Sequence, residues 1–319
     1  MLTFIGRRLL QVVPLLFVVS ILVFLLLSTL DFDIARAKAG LTGTDEQVAA
    51  IEAELHLDEP LYEQYGRWIW GCLHGDFGES WYDKGEVGPE MANRVPITAS
   101  IVVPAFFLSV LVGLPMGVLA AVRAGRPLDR FITFLSSIGI STPEFWLASM
   151  LIAWFAVTDN LPFVGRLPAG GYVHPSESLA EWARHLVLPW IATGATGAAS
   201  IARQVRANVI DALDQDYIRT ANAKGLPRRS VVYKHALKNA SLPVITVLGI
   251  GLAYAFGGSI VLERIFSING IGQYVNLAIS GQDRPIIQAF VLLAATLFIT
   301  INLFVDVMYG VLNPKVRLT

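Results

Sequence analysis

Six apolar runs dominate this chain, and each is long enough to cross a bilayer core of about 30 Å at 1.5 Å of helical rise per residue. They cover residues 12–30, 98–122, 131–157, 186–202, 239–262 and 285–305. Glu144 is the one charge inside the third, and the sixth is expected to continue past Asp306 to Leu312. None alternates with the period of two that a barrel strand requires, so helices are the spanning structure. Composition agrees. The chain is 54% hydrophobic and 15% charged, with mean hydropathy +0.58, whereas an average soluble domain carries about 25% charged residues. The expected fold class is an all-α polytopic membrane protein with six transmembrane helices.

Several other classes fall away. Arg7-Arg8 precede the first run and Ala37-Lys38-Ala39 has the form of a signal cleavage site. That run exceeds the core of about 7–15 residues typical of a signal peptide, and the site lies well past its end. It is read as a retained anchor over about residues 9–30. Cys72 is the single cysteine and cannot close an internal disulfide. No catalytic residue, metal site or bound cofactor is expected, the five histidines being scattered. A net charge of −1 gives no basic field for nucleic acid.

Lysine and arginine set the expected orientation. With the N-terminus inside and six crossings, residues 1–11, 123–130, 203–238 and 313–319 are cytoplasmic and hold 15 of the 24 cations in 62 residues. The remaining nine are spread over 117 residues in 31–97, 158–185 and 263–284. That asymmetry is what the positive-inside rule describes. Acids run the other way, with 14 in residues 31–97. Both termini are expected in the cytoplasm.

Residues 31–97 are too long for a plain connector. Residues 45–57 read as an amphipathic helix with Val48, Ile51 and Leu55 on one stripe, and Pro60 opens a second helix through Leu61, Tyr65, Trp68, Ile69 and Cys72. Gly75-Asp76-Phe77-Gly78-Glu79-Ser80 reads as a turn. This segment is a helical cap on the outer face, either resting on the membrane or docking an external partner. The loop 158–185, with Gly165, Pro168, Gly170, Gly171 and Pro175, reads as irregular.

Residues 203–238 read as helix–turn–helix. Acids at Asp211, Asp214 and Asp216 precede a short helix, Gly225 suits a left-handed C-cap, and Pro227 suits the first turn of the next helix. Small residues at Ala221 and Ala223 would let it approach another protein's groove. The same loop could instead hold anionic lipid headgroups through Arg228, Arg229 and Lys234.

At this loop a family resemblance becomes specific. Arg219-Thr220-Ala221-Asn222-Ala223-Lys224-Gly225-Leu226, followed by His235-Ala236-Leu237-Lys238-Asn239-Ala240-Ser241-Leu242-Pro243, resembles the EAA-type coupling loop of type I ABC importer permeases. Within that class the chain is similar to the "B" member of the dipeptide/oligopeptide/nickel permease family. Arg7-Arg8-Leu9-Leu10-Gln11-Val12-Val13-Pro14, Leu55-His56-Leu57-Asp58-Glu59-Pro60-Leu61, Gly75-Asp76-Phe77-Gly78-Glu79-Ser80, Gly270-Ile271-Gly272 and Asn302-Leu303-Phe304-Val305-Asp306 extend the likeness along the chain. So does Leu312-Asn313-Pro314-Lys315. Arg219 stands where the general pattern has Glu, as is usual in the peptide subfamily. Asp31-Phe32-Asp33-Ile34 departs from a Pro-Gly-Asp-Pro-like turn.

The resemblance implies a type I permease fold, with anchor and cap in 1–97 and a transmembrane core in 98–313. It implies half of a translocation pathway in a bacterial cytoplasmic membrane, completed by a homologous second permease. Two cytoplasmic ATPases, holding ATP and Mg²⁺, and an external peptide-binding protein would be the other partners, besides membrane lipid. Arg219, Thr220, Ala221, Ala223, Lys224 and Gly225 would couple to the ATPase. The chain has no G-x-x-x-x-G-K-[ST] of its own, so it is not expected to be an enzyme. Di- or oligopeptides are the implied cargo, with nickel chelates, glutathione and oligosaccharides as alternatives carried by related systems. A secondary transporter is the rival from a different class, though no internal repeat is seen.

Glu144, after Ser141-Thr142-Pro143, has two readings. It could face a peptide ammonium in the pathway, or it could sit at the N-terminus of a half-helix begun at Pro143. Glu263-Arg264 are expected at the interface at the end of the fifth run, and Asp306 beside a loop cation. Gly194-Ala195-Thr196-Gly197-Ala198-Ala199-Ser200 should permit close helix packing.

Overall fold

A computed structural model describes residues 2–29, 34–39, 44–82, 84–158 and 166–312. Asp31-Phe32-Asp33, Gly165 and Asn313-Pro314-Lys315 lie outside these described residues. The described chain is nearly all helix, in the order α1 Leu2–Ser28, α2 Ile34–Ala39, α3 Asp45–Glu54, α4 Leu61–Leu73, α5 Val87–Val122, α6 Pro127–Ser141, α7 Glu144–Ile152, α8 Leu179–Leu213, α9 Asp216–Ala223, α10 Arg228–Ser230, α11 Leu237–Ile265, α12 Ile271–Gly281 and α13 Arg284–Leu312. One π-helical turn, Ala153–Val157, extends α7, and another, Val231–Ala236, joins α10 to α11. The chain divides into two compact units. One holds Met1–Phe4, Pro96–Gln273 and Thr300–Thr319; the other holds Ile5–Val95 with Tyr274–Ile299.

Among the described residues, four helices are long and apolar enough to cross a membrane: Gly6–Ser28, Val87–Val122, Pro243–Ile265 and Arg284–Gly310. A fifth arises if α6 and α7 count together, but they meet at 94°. The expected continuous span over 131–157 is therefore a broken one. Pro143 has no N–H to continue the ladder, and it biases the preceding residue away from helix. Thr142 accordingly lies at φ −83°, ψ 119°. The fourth expected span, 186–202, sits inside α8, whose Gly, Ala, Thr and Ser content keeps its hydropathy below that of the other four. Those small residues serve packing instead. A Cβ on Gly113 or Gly117 of α5 would strike the carbonyls of Ala198 and Ala202, and one on Gly194 or Gly197 of α8 would strike Leu108 and Ser109. Two helices this close make up in dispersion and interhelical hydrogen bonds what they lack in apolar area. Ser109 Oγ donates to the Gly194 carbonyl at 3.0 Å.

In the unit of Ile5–Val95 with Tyr274–Ile299, α3 opens with a complete capping box: Thr44 Oγ1 accepts Gln47 N–H and Gln47 Oε1 accepts Thr44 N–H. The helix ends at Glu54, three residues before the expected end at 57, because His56 turns into the left-handed region at φ 56°. Helix α4 lies along α1. Tyr65 Oη pairs with Ser20 Oγ at 2.9 Å, and the Phe24 ring stands 5.4 Å from Tyr65 and 5.9 Å from Trp68. The turn after α4 is pinned by Asp283, which accepts Ser80 Oγ at 2.6 Å and Trp81 N–H at 3.3 Å.

Candidate functional site

In the Pro96–Gln273 unit, α5, α7, α8 and α11 surround a cavity of about 200 Å³. Glu144 reaches it from the first turn of α7, where free N–H groups favour a carboxylate. Thr193, Thr196 and Ser200 of α8 line it, their spacing placing them on one helical face. Ser109 of α5 and Tyr254 of α11 add hydroxyls, while Phe106 and Leu248 supply apolar wall. Thr193 Oγ1 is buried without a hydrogen-bond partner among the described residues. Glu144 is the one carboxylate among the lining residues. Glu144 thus starts a half-helix, as the second reading has it, and also lines a cavity. A single carboxylate amid hydroxyls suits an ammonium or a chain of amide groups.

The helix–turn–helix segment forms a second feature of the same unit. After α8, Asp216 opens α9, and Gly225 ends it at φ 73°. Gly225 N–H donates to the Asn222 carbonyl at 2.9 Å and Leu226 N–H to the Ala221 carbonyl at 3.3 Å. That pair is a Schellman cap, which requires a left-handed residue where glycine stands. Pro227 then caps α10, and Arg228 Nη2 donates to the Val122 carbonyl at the end of α5 at 3.2 Å. Ile218 and Ala221 are buried with Val118, Ile201, Val205, Val231 and Val232. Ala221 therefore packs into the chain's own core and is not free to enter a partner's groove, as its small size had suggested. Three residues separate Ile218 and Ala221, so both face inward on one side of α9. Arg219, Thr220, Ala223 and Lys224 are exposed, with Tyr217 and Leu226 as apolar points beside them. Arg219 pairs with Asp216 at 3.2 Å in the open, an interaction worth little.

Two buried carboxylates that the sequence did not single out as sites hold this unit together. Glu263, expected at an interface, is fully buried: Oε1 accepts Thr98 Oγ1 at 2.5 Å and Oε2 accepts Gln273 N–H at 2.9 Å. The start of α12 wraps this carboxylate so closely that a Cβ on Gly270 or Gly272 would meet it. Asp129 of α6 accepts both Nε and Nη2 of Arg206 on α8, and Gly125 N–H besides. The Gly270-Ile271-Gly272 pattern was the one local signal for the first of these, and nothing local signals the second.

Residues 113–318 match the family described as "Binding-protein-dependent transport system inner membrane component", and residues 1–102 match its N-terminal companion, "Binding-prot-dependent transport system membrane comp, N-term". The chain belongs to the binding-protein-dependent transport system inner membrane component family. The dipeptide transport system permease protein DppB of Escherichia coli (strain K12) is 39% identical over 336 residues, covering 99% of both chains. The "Probable peptide ABC transporter permease protein y4tP" of Sinorhizobium fredii is 39% identical over 314 residues, covering 98% of this chain and 99% of the relative. An inward facing conformation of the MetNI methionine ABC transporter aligns with a TM-score of 0.57 at 21% identity, covering 70% of this chain and 96% of that one. That likeness shows a shared fold. This inner membrane component is thus a multi-pass membrane protein with an ABC importer permease fold.

Proposed function

We propose that this inner membrane component is one of two permease subunits of an ATP-driven importer of di- or oligopeptides. The observation that supports it most is the 39% identity to DppB along 99% of both chains. Six crossings, completed by the bent α6–α7 pair and by α8, put both termini and residues 203–238 in the cytoplasm and the cap within 1–97 outside. The chain hydrolyses nothing itself. Two cytoplasmic ATPases bind ATP and Mg²⁺ and draw on α9, a homologous permease supplies the other half of the pathway, and an external binding protein delivers cargo.

The 200 Å³ cavity is then one wall of the pathway, and Glu144 receives the ammonium of a free-amino peptide. Arg219, Thr220, Ala223 and Lys224 form the face that meets the ATPase, and Gly225 with Ala221 sets its angle.

The test is uptake by proteoliposomes holding the complete complex. ATP-dependent entry of a free-amino dipeptide is expected, and Glu144→Gln should reduce it by more than tenfold while leaving an N-acetylated dipeptide little changed. Entry of nickel chelates, glutathione or oligosaccharides without peptides would replace the cargo. Equal loss of both peptide classes would leave Glu144 only its role in starting α7.

A further inference from the structure

Arg284 is buried at the start of α13, with 8% of its surface exposed. Among the described residues its guanidinium gives one hydrogen bond, Nη2 to Ser28 Oγ at 2.6 Å, and lies 4.8 Å above the Phe24 ring. No carboxylate pairs with it there. A guanidinium carries five donors, and leaving its charge buried without an anion is costly. Arg284 lines a cavity of about 270 Å³ within the Ile5–Val95 and Tyr274–Ile299 unit. Two further donors there lack partners among the described residues: Nε2 of Gln288, which is 4% exposed, and Nε1 of Trp68. Gln288 stands four residues after Arg284, on the same face of α13. The acidic residues on the rim, Asp76 and Glu79, are exposed and not ion-paired to Arg284, and Asp76 Oδ1 is occupied by Gly78 N–H at 2.8 Å.

We infer that this cavity is a carboxylate-binding site, distinct from the Glu144 cavity and independent of the transport reading. One carboxylate would take the fork of Arg284 on one side and the Gln288 amide and Trp68 indole N–H on the other. Charge-assisted bonds of this kind are the strong ones in a dry setting. The carboxylate belongs either to a small free acid or to the C-terminus of a short peptide.

Thermal unfolding of the purified full-length chain in detergent tests this, with ionic strength held constant by sodium chloride. Acetate supplies a free carboxylate, N-acetylglycylglycine a peptide terminus, and glycylglycinamide a peptide with none. Acetate and N-acetylglycylglycine should each raise the Tm by about 5 °C at a hundredfold excess over Kd, and glycylglycinamide should not. At equal concentrations of the two, a larger rise with N-acetylglycylglycine assigns the peptide source, and equal rises assign the free acid. Gln288→Glu installs a carboxylate beside Arg284, so it should raise the ligand-free Tm and abolish the response. Arg284→Gln should abolish the response without that rise. The inference is overturned if wild-type protein responds to neither carboxylate beyond the chloride control. It is equally overturned if Gln288→Glu responds as wild type does.

Discussion

Thr98 Oγ1 joins two chain segments through one atom: it donates to Glu263 Oε1 at 2.5 Å and accepts Ile271 N–H at 2.9 Å. Both partners are buried, so neither can turn to water. Thr98→Val keeps the shape and removes the hydroxyl, leaving a carboxylate oxygen and an N–H short of a partner. Unmet buried groups cost about 1–3 kcal/mol each. The expected loss is about 2–4 kcal/mol in detergent unfolding, with Thr98→Ser close to wild type. Equal stability of the valine variant would show that this junction contributes nothing.

Arg206 and Asp129 form a two-donor ion pair, Nε to Oδ1 at 2.5 Å and Nη2 to Oδ2 at 2.9 Å. Asp129 is 2% exposed, while the Arg206 side chain keeps 31% of its surface in contact with the surroundings. Removing one partner of a fully buried pair costs about 3–5 kcal/mol; with Arg206 partly exposed, Arg206→Ala should cost about 1–3 kcal/mol. Replacing both, Arg206→Met with Asp129→Leu, should cost less than Arg206→Ala alone. A double-mutant cycle on unfolding free energies reads this coupling directly.

Cys72 should be a slow thiol. Burial, helped by the nearby Asp76 carboxylate, raises its pKa from 9.0 to about 11. The thiolate is the reacting species, so two units leave roughly a hundredfold less of it at pH 8. Maleimide labelling of Cys72 should be about a hundredfold slower than that of Tyr62→Cys placed in a Cys72→Ser chain, Tyr62 being 73% exposed. The Cys72 rate should still be climbing tenfold per pH unit at pH 10. Similar rates at pH 8 would mean the thiol is not buried as described.

The helices that the sequence makes plain are those whose side chains face one medium. α1, α5, α11 and α13 were legible because apolar residues run through them with few interruptions. Pro143 announced a break, but the 94° between α6 and α7 is not written in any local residue pattern. α8 shows the converse case. Its small residues were legible as packing surface, and the same residues lower the hydropathy by which a span is recognised. Glu263 misled because its position at the end of an apolar run says "interface", whereas its partner Thr98 stands 165 residues away. Ala221 misled for a different reason. Size alone suggested a groove outside the chain, and only its register with Ile218 turns it inward.

The outward face of α9 as the link to the ATPases is the central claim, and Ala223→Trp probes it most directly. Ala223 is exposed, so a tryptophan there leaves this chain's own core untouched, unlike a change at Ala221. Gly225→Val is the companion variant, because φ 73° strains a β-branched residue and redirects the chain toward Pro227. The measurement is ATP hydrolysis by the assembled complex with and without cargo-loaded binding protein, after checking that all subunits remain together. Both variants are predicted to lose cargo-stimulated hydrolysis and peptide uptake while the complex stays assembled. Stimulation at the wild-type level in both would contradict the account, because α9 would then carry no motion between the ATPases and the pathway.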